Sequence, residues 1–167
     1  FPDDGGEGTP QSRGVKPIAA KTEADIYAAL ELPWHPPELR EDRDAIDTTP
    51  PTLLEVADIG CDLHSHTRAS DGHLTIREMA EEAMRRGFHT LAITDHSKSS
   101  VQANGLSEDR LRKHIVAIHA VDAEMPDIRL LAGSEVDIHA DGTLDYDDDL
   151  LAELDIVVAS PHASLKQ

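Results

Sequence analysis

Cysteine is nearly absent from this chain. Cys61 stands alone among 167 residues, which rules out an internal disulfide and fits a reducing compartment, with the cytoplasm as the default. Aromatic side chains make up 3% of the residues, so the core has to be built from Leu, Ile, Val and Ala, and stacking platforms for bases are not expected. No apolar run approaches the ~20 residues that a membrane-spanning helix needs. The start is polar and rich in Gly, Pro and Asp, and does not read as a signal peptide. Basic residues are scarce, 15 Lys and Arg against 33 Asp and Glu, for a formal net charge of −18. A field of that sign repels nucleic acid at long range, because binding to backbone phosphates relies on Lys and Arg. It does not exclude a nuclease whose metal ions supply the local positive charge. Solubility is the simplest account of the charge itself. The length suits one domain of ordinary size, and the chain runs from Phe1 to Gln167 without a Met start or an evident end to its last unit, as a segment of something longer would.

The first third of the chain has little periodicity. Residues 1–21 hold Gly, Pro, Asp, Ser and Lys and read as linker or disordered tail. Thr22 opens a short helix through about Leu30, with Glu23 and Asp25 in the first turn, where the helix dipole favours them. Residues 32–40 include Pro33, Pro36 and Pro37, which lack the amide donor and restrict the residues before them. That stretch reads as an extended connector anchored by Trp34, with His35 packed. Residues 41–55 are charged, then Pro-rich, and read as a second linker.

From residue 58 a regular beat sets in. The apolar lead-in at 56–61 reads as a strand that ends at His64, with Cys61 in the core. Thr75 and Glu78 form a capping-box pattern for a helix whose apolar face is Ile76, Met79, Ala80 and Ala83 and which Gly87 stops. Residues 90–94 read as a buried strand ending in Asp95-His96. Ser107 caps a helix that turns Leu111, Ile115, Ile118 and Val121 inward. A third strand starts at Ile128, ends near Glu135 and extends through Ile138. Residues 147–154 read as a short acidic helix, and 155–159 as a fourth strand that leads into Ser160-Pro161-His162. Alternation of this kind implies α/β architecture with parallel strands.

The polar residues fall where these strands end. The first gives His64 and His66, which point the same way in an extended chain, and Asp71 can fold back from the following turn. Two imidazoles and a carboxylate make a seat for a borderline cation such as Zn, Mn or Fe. The second strand gives His96, the third Glu135, the fourth His162. In a parallel barrel all strand C-termini share one face, and that face holds the active site. The six together exceed the needs of one tetrahedral ion and suit two or three. Two metals a few Å apart can bind a bridging hydroxide and clamp a phosphate ester for in-line attack, and Glu135 is the natural bridging carboxylate. Among the other histidines His73 is the nearest rival, while His114 and His119 sit mid-helix and read as solvated. Ser70 reads as turn chemistry. Lys98 is a weak candidate for contacting a substrate phosphate, a solvated loop lysine being the simpler reading.

At these residues the sequence resembles the polymerase and histidinol phosphatase (PHP) family. The resemblance is carried by Asp62-Leu63-His64-Ser65-His66-Thr67 with Ser70-Asp71-Gly72, by Ile93-Thr94-Asp95-His96-Ser97, by Gly133-Ser134-Glu135 and by Ser160-Pro161-His162. It implies a distorted seven-stranded (β/α) barrel with a trinuclear metal centre and phosphoesterase activity. Here about four of the seven strands would be present, over residues 58–167, preceded by a helical, Pro-rich connector. The resemblance places His64 and His66 on a first metal, Glu135 as the bridge, His162 on a second site, and Asp71 and His96 on a third. It implies two or three divalent ions, manganese first, with zinc or iron as alternatives.

Within that family the chain resembles the C-terminal part of bacterial and archaeal family X DNA polymerases, on residues 26–41, on 97–106, and on Val136-Asp137-Ile138 with Asp141-Gly142. This implies that residues 22–57 connect to an upstream polymerase core in the same natural chain. It also implies that the substrate is DNA, at 3′ ends and repair intermediates, cut by a manganese-dependent 3′–5′ exonuclease activity with no membrane involved. The alternatives are a phosphomonoesterase of the histidinol phosphatase kind and a non-catalytic, metal-bound scaffold for the polymerase core. The family's late Asp-x-His ligand pair has no counterpart before Gln167, so these 167 residues expressed alone are expected to be poorly stable and at most weakly active.

Overall fold

The structure, a computed structural model, describes residues 21–41 and 48–162. The linker expected at 1–21 therefore lies outside the described residues except for Lys21, as do positions 42–47 of the second linker. The chain divides into two compact units, Phe1–Leu54 and Glu55–Gln167.

In the first unit, α1 (Glu23–Ala29) starts at a capping box in which Thr22 accepts from the Asp25 amide and Asp25 accepts from the Thr22 amide. Glu23 holds the following connector. Its carboxylate takes a two-pronged ion pair from Arg40, both contacts at 2.7 Å, and a hydrogen bond from the Trp34 indole. Arg40 also donates to the His35 carbonyl and lies over the Tyr27 ring. Arg40, not Trp34, is thus the hub, and Trp34 stays 42% exposed. His35 is buried as expected, donating from Nδ1 to the Pro33 carbonyl.

The second unit is a four-stranded parallel sheet in the order β1-β2-β3-β4, formed by β1 (Cys61–Asp62), β2 (Thr90–Ile93), β3 (Arg129–Asp137) and β4 (Ile156–Ser160). The strand expected from Val56 is shorter than that: Val56–Asp58 forms a 3-10 turn, held by an exchange of bonds between Glu55 and Asp58, and pairing begins only at Cys61. Val56 and Ile59 are exposed there, and Cys61 is half-buried, not core. An apolar run without a neighbouring strand to pair with does not become a strand.

β3 is what curls the sheet. Its first half, through Ala132, pairs with β2, and its second half, from Gly133, pairs with β4. The change of partner happens at Gly133, where an added Cβ would lie 2.7 Å from the Ile156 side chain and 3.0 Å from that of Thr94. Only a residue without a side chain lets both neighbours approach so closely. The result is a half-barrel, the partial (β/α) barrel that the resemblance implies.

α2 (Ile76–Arg85) begins at the expected Thr75/Glu78 box, with both reciprocal bonds made, and buries Ala80 and Ala83. α3 (Glu108–Glu124) packs on β3. Its Ser107 cap makes no side-chain bond, contrary to expectation. Its buried stripe is Leu111, His114, Ile115 and Ile118, the i, i+3, i+4, i+7 spacing of a core-facing helix. α4 (Asp148–Leu151) is a single turn that buries Leu150.

Candidate metal centre

Every strand of the half-barrel delivers side chains to the same end. After β1 the chain stays extended, and Ser65 is clamped to β2: its amide donates to Thr94 Oγ1, its hydroxyl to the Ala92 carbonyl, and its carbonyl accepts from the Thr94 amide. With Ser65 turned toward β2, His64 and His66 face the other way, their Nε2 atoms 3.1 Å apart. Past β2, the Glu135 amide is shared between the carbonyls of Thr94 and Asp95, and Ser97 donates back to the Glu135 carbonyl. This irregular pairing turns Asp95 into the interior and His96 toward Glu135.

Glu135, itself buried, is the meeting point. Its Oε2 lies 3.3 Å from His64 Nε2, 3.2 Å from His66 Nε2 and 3.2 Å from His96 Nδ1, and its Oε1 lies 3.0 Å from His162 Nε2. Asp71 closes the other side, 2.9 Å from His66 Nδ1 and 3.4 Å from His96 Nε2. Burial opposes ionisation of Asp71, but the His66 hydrogen bond and the proximity of His96 outweigh it and hold its carboxyl below the ordinary value. Three overlapping triads have ligand atoms within 4.8 Å of one another: His64, His66 and Glu135; His66, Asp71 and His96; His96, Glu135 and His162.

The donor set fits divalent cations on a physical argument. A neutral imidazole that gives Nδ1–H to one carboxylate turns a lone pair to whatever faces Nε2. His66 does this toward Asp71 and His162 toward Asp137, yet both present Nε2 to Glu135, an acceptor. His96 Nδ1 is buried beside the same carboxylate without a hydrogen-bond partner. Acceptors facing acceptors are repulsive unless a positive charge lies among them, and imidazole with carboxylate is a ligand set for Mn, Fe or Zn.

The structure thus brings together all six residues singled out as ligands. Lys98 stays out of the group: its ammonium pairs with Glu108 and lies over the Tyr146 ring. His73 is in none of the triads.

Two sets of supporting residues were not legible as such. Asp95 is completely buried and accepts from the amides and hydroxyls of Thr67 and Ser70 and from His114 Nε2, the last at 2.7 Å. Burial disfavours its charge, but the His114, Ser70 and Thr67 hydrogen bonds leave its carboxyl below the ordinary value. His114 is therefore not solvated but 8% exposed and bonded behind the site. Its place in the 111/114/115/118 stripe was the available signal. Ser70 likewise holds this buried carboxylate and is more than a turn residue. The second set lies at and beyond the end of β3, where Asp137 meets His162 and the loop at 97–100, and Asp145 binds Ser97 and Ser99 of that loop.

Comparison with known proteins agrees with this picture. The PHP domain model matches residues 62–164, more than half of the chain, and the DNA polymerase beta thumb model matches residues 6–41. The DNA polymerase/3′-5′ exonuclease PolX of Bacillus subtilis is 47% identical over 148 residues, which are 87% of this chain and 26% of that protein. A protein named "Probable phosphatase" in Syntrophotalea carbinolica is 35% identical over 103 residues, 60% of this chain and 40% of its own, and its namesake in Shewanella oneidensis is 32% identical over a similar stretch. The chain therefore spans about a quarter of the polymerase and about two fifths of the phosphatases. Three strand ends that place imidazoles around the glutamate of a fourth strand, within a parallel half-barrel matched over most of its length, make this chain a member of the PHP domain family.

Proposed function

We propose that this chain is the metal-binding part of a phosphodiesterase that removes nucleotides from DNA 3′ ends, within a family X DNA polymerase. The observation that carries the reading is the convergence of His64, His66, His96 and His162 on Glu135, with Asp71 beside them. His64 and His66 would hold one ion, His162 a second, Asp71 and His96 a third, with Glu135 shared. Manganese is the first expectation, zinc or iron the alternatives. When bound, such ions supply Lewis acidity toward a phosphoryl group and the positive charge that a chain of net charge −18 lacks.

The protein's own part is orientation. Glu135 is buried and held by its backbone to β2, so the carboxylate stays in place while substrate enters. Asp95 ties down the loop that carries His66 and Asp71 through four bonds from Thr67 and Ser70. Support for DNA as substrate comes from the name of the Bacillus subtilis relative and from the polymerase thumb match at residues 6–41. The phosphatase relatives, similar over 60% of this chain, support phosphomonoester hydrolysis as the second reading.

The test is hydrolysis of a 5′-labelled single-stranded oligonucleotide with Mn²⁺ by the full-length natural protein, beside the double variant His64→Ala, Glu135→Ala. Stepwise loss of 3′ nucleotides that disappears in the variant is the expected result. Phosphate release from small monoesters without DNA cleavage would favour the second reading. Bound metal with turnover of neither would leave a scaffold.

A further inference from the structure

His162 differs from the other five residues of the cluster in having a dedicated carboxylate behind it that is not itself among the grouped ligands. Asp137, the last residue of β3, is buried and places Oδ1 3.0 Å from His162 Nδ1. The carboxylate can only accept, so the ring must donate Nδ1–H, and its Nε2 lone pair is thereby aimed at Glu135 Oε1, 3.0 Å away.

Asp137 is in turn fixed by chain distant in sequence. Its Oδ2 accepts from the Ser100 hydroxyl at 2.8 Å, and its amide donates to Ser97 Oγ at 2.9 Å. Ser97 has one hydroxyl hydrogen, and its closer acceptor is Asp145, at 2.7 Å against 3.3 Å for Asp137. The Asp137 carboxylate is thus left with Ser100 and His162 as its donors. No Lys or Arg pairs with it among the described residues. A buried carboxylate without a cationic side chain is costly, and its presence at this place is explained if it acts through His162 on the proposed cations of the centre.

We propose that Asp137 is the positioning residue for His162: it selects the Nδ1–H tautomer and the ring orientation, and so makes Nε2 a preformed ligand for one ion of the centre. This rests on the reading of the cluster as a metal site. A buried carboxylate serving only to hold the 97–100 loop would not control the ring.

The test uses full-length protein with ¹⁵N-labelled histidine at pH 8, metal-free, with His162→Ala to assign the ring. Long-range ¹H–¹⁵N spectra should show His162 protonated at Nδ1 and bare at Nε2. In Asp137→Ala the ring should shift toward the Nε2–H tautomer, and one class of Mn²⁺ sites should weaken by about 10–100-fold in a calorimetric titration. Asp137→Asn, whose amide oxygen still accepts from Nδ1–H, should keep the tautomer and most of the affinity. A wild-type ring that is Nε2–H or doubly protonated overturns the proposal, even if Asp137→Ala does not fold. So does an Asp137→Ala protein with unchanged tautomer and Mn²⁺ affinity when His162→Ala loses an ion. If His162→Ala itself binds Mn²⁺ as wild type does, the assignment of His162 to a metal fails first, and the proposal with it.

Discussion

Gly72 lies one residue beyond Asp71, in the loop between the His64/His66 pair and α2. A Cβ added there would lie 2.2 Å from the His66 carbonyl oxygen and 2.9 Å from the Thr67 carbonyl carbon, both backbone atoms with no rotamer to yield. The Gly72 amide also donates to the Thr67 carbonyl, so the loop cannot open without losing that bond. Gly72→Ala should therefore displace His66, one of the residues proposed to hold a metal, and not merely loosen a turn. An ångström of misplacement at a reacting centre can cost ~100-fold in rate. We expect a loss of the proposed Mn²⁺-dependent hydrolysis of that order, with circular dichroism little changed. Wild-type turnover in Gly72→Ala would show that the His66 carbonyl has room to move. His114 belongs to this scale too. Reading a mid-helix histidine as solvated ignored its register, and register decides burial more firmly than residue type does.

At the scale of the element, α2 is the clearest case of local sequence dictating structure. Thr75 Oγ1 accepts from the Glu78 amide and Glu78 accepts from the Thr75 amide, so two otherwise orphaned donors are satisfied reciprocally. Thr75→Ala should cost ~1 kcal/mol of stability, measured as a shift in urea midpoint with the slope unchanged. α2 contributes nothing to the proposed metal site, so Mn²⁺ affinity should not move; a large loss of affinity would mean that the cap also positions the 67–74 loop. β1 shows the opposite behaviour. Its apolar residues are legible, but pairing requires a neighbour, and the ladder with β2 takes in only Cys61 and Asp62. The Ser107 cap illustrates the same limit, since a capping residue type does not guarantee the capping bond.

For the second unit as a whole, long-range ties between loops matter as much as the sheet. Asp145 reaches back across some 46 residues to the Ser99 amide and hydroxyl and to the Ser97 hydroxyl, and His139 Nε2 lies 3.1 Å from it. Burial raises its carboxyl, but the Ser99 and Ser97 bonds and His139 together hold it below the ordinary value of 3.8. A carboxyl that is more acidic folded than unfolded adds stability above its unfolded value and loses it as pH falls through the folded one. The unit should therefore lose stability below about pH 4. Asp145→Asn should be less stable at pH 7 and should show a shallower acid limb in urea midpoints taken from pH 3 to 7. An acid limb of wild-type steepness would assign that sensitivity to other carboxylates.

Much was determined by the sequence alone. The alternation of apolar runs and capped helices specified parallel strands, because strand and helix periods differ and each run shows one of them. The strand-end positions of His64, His66, His96, Glu135 and His162, with Asp71 in the turn, specified a shared face, because parallel strands bring their C-terminal ends to one side. The tertiary structure decided what stands behind those residues. Asp95 sits beside His96, Asp137 ends a strand and His114 lies mid-helix, and none carries a local mark of its partner. Their partners lie 19 to 40 residues away in sequence. Buried polar groups find their bonds through the register of β3 against β2 and β4, and that register is set by packing across the whole sheet, beyond the reach of any local pattern.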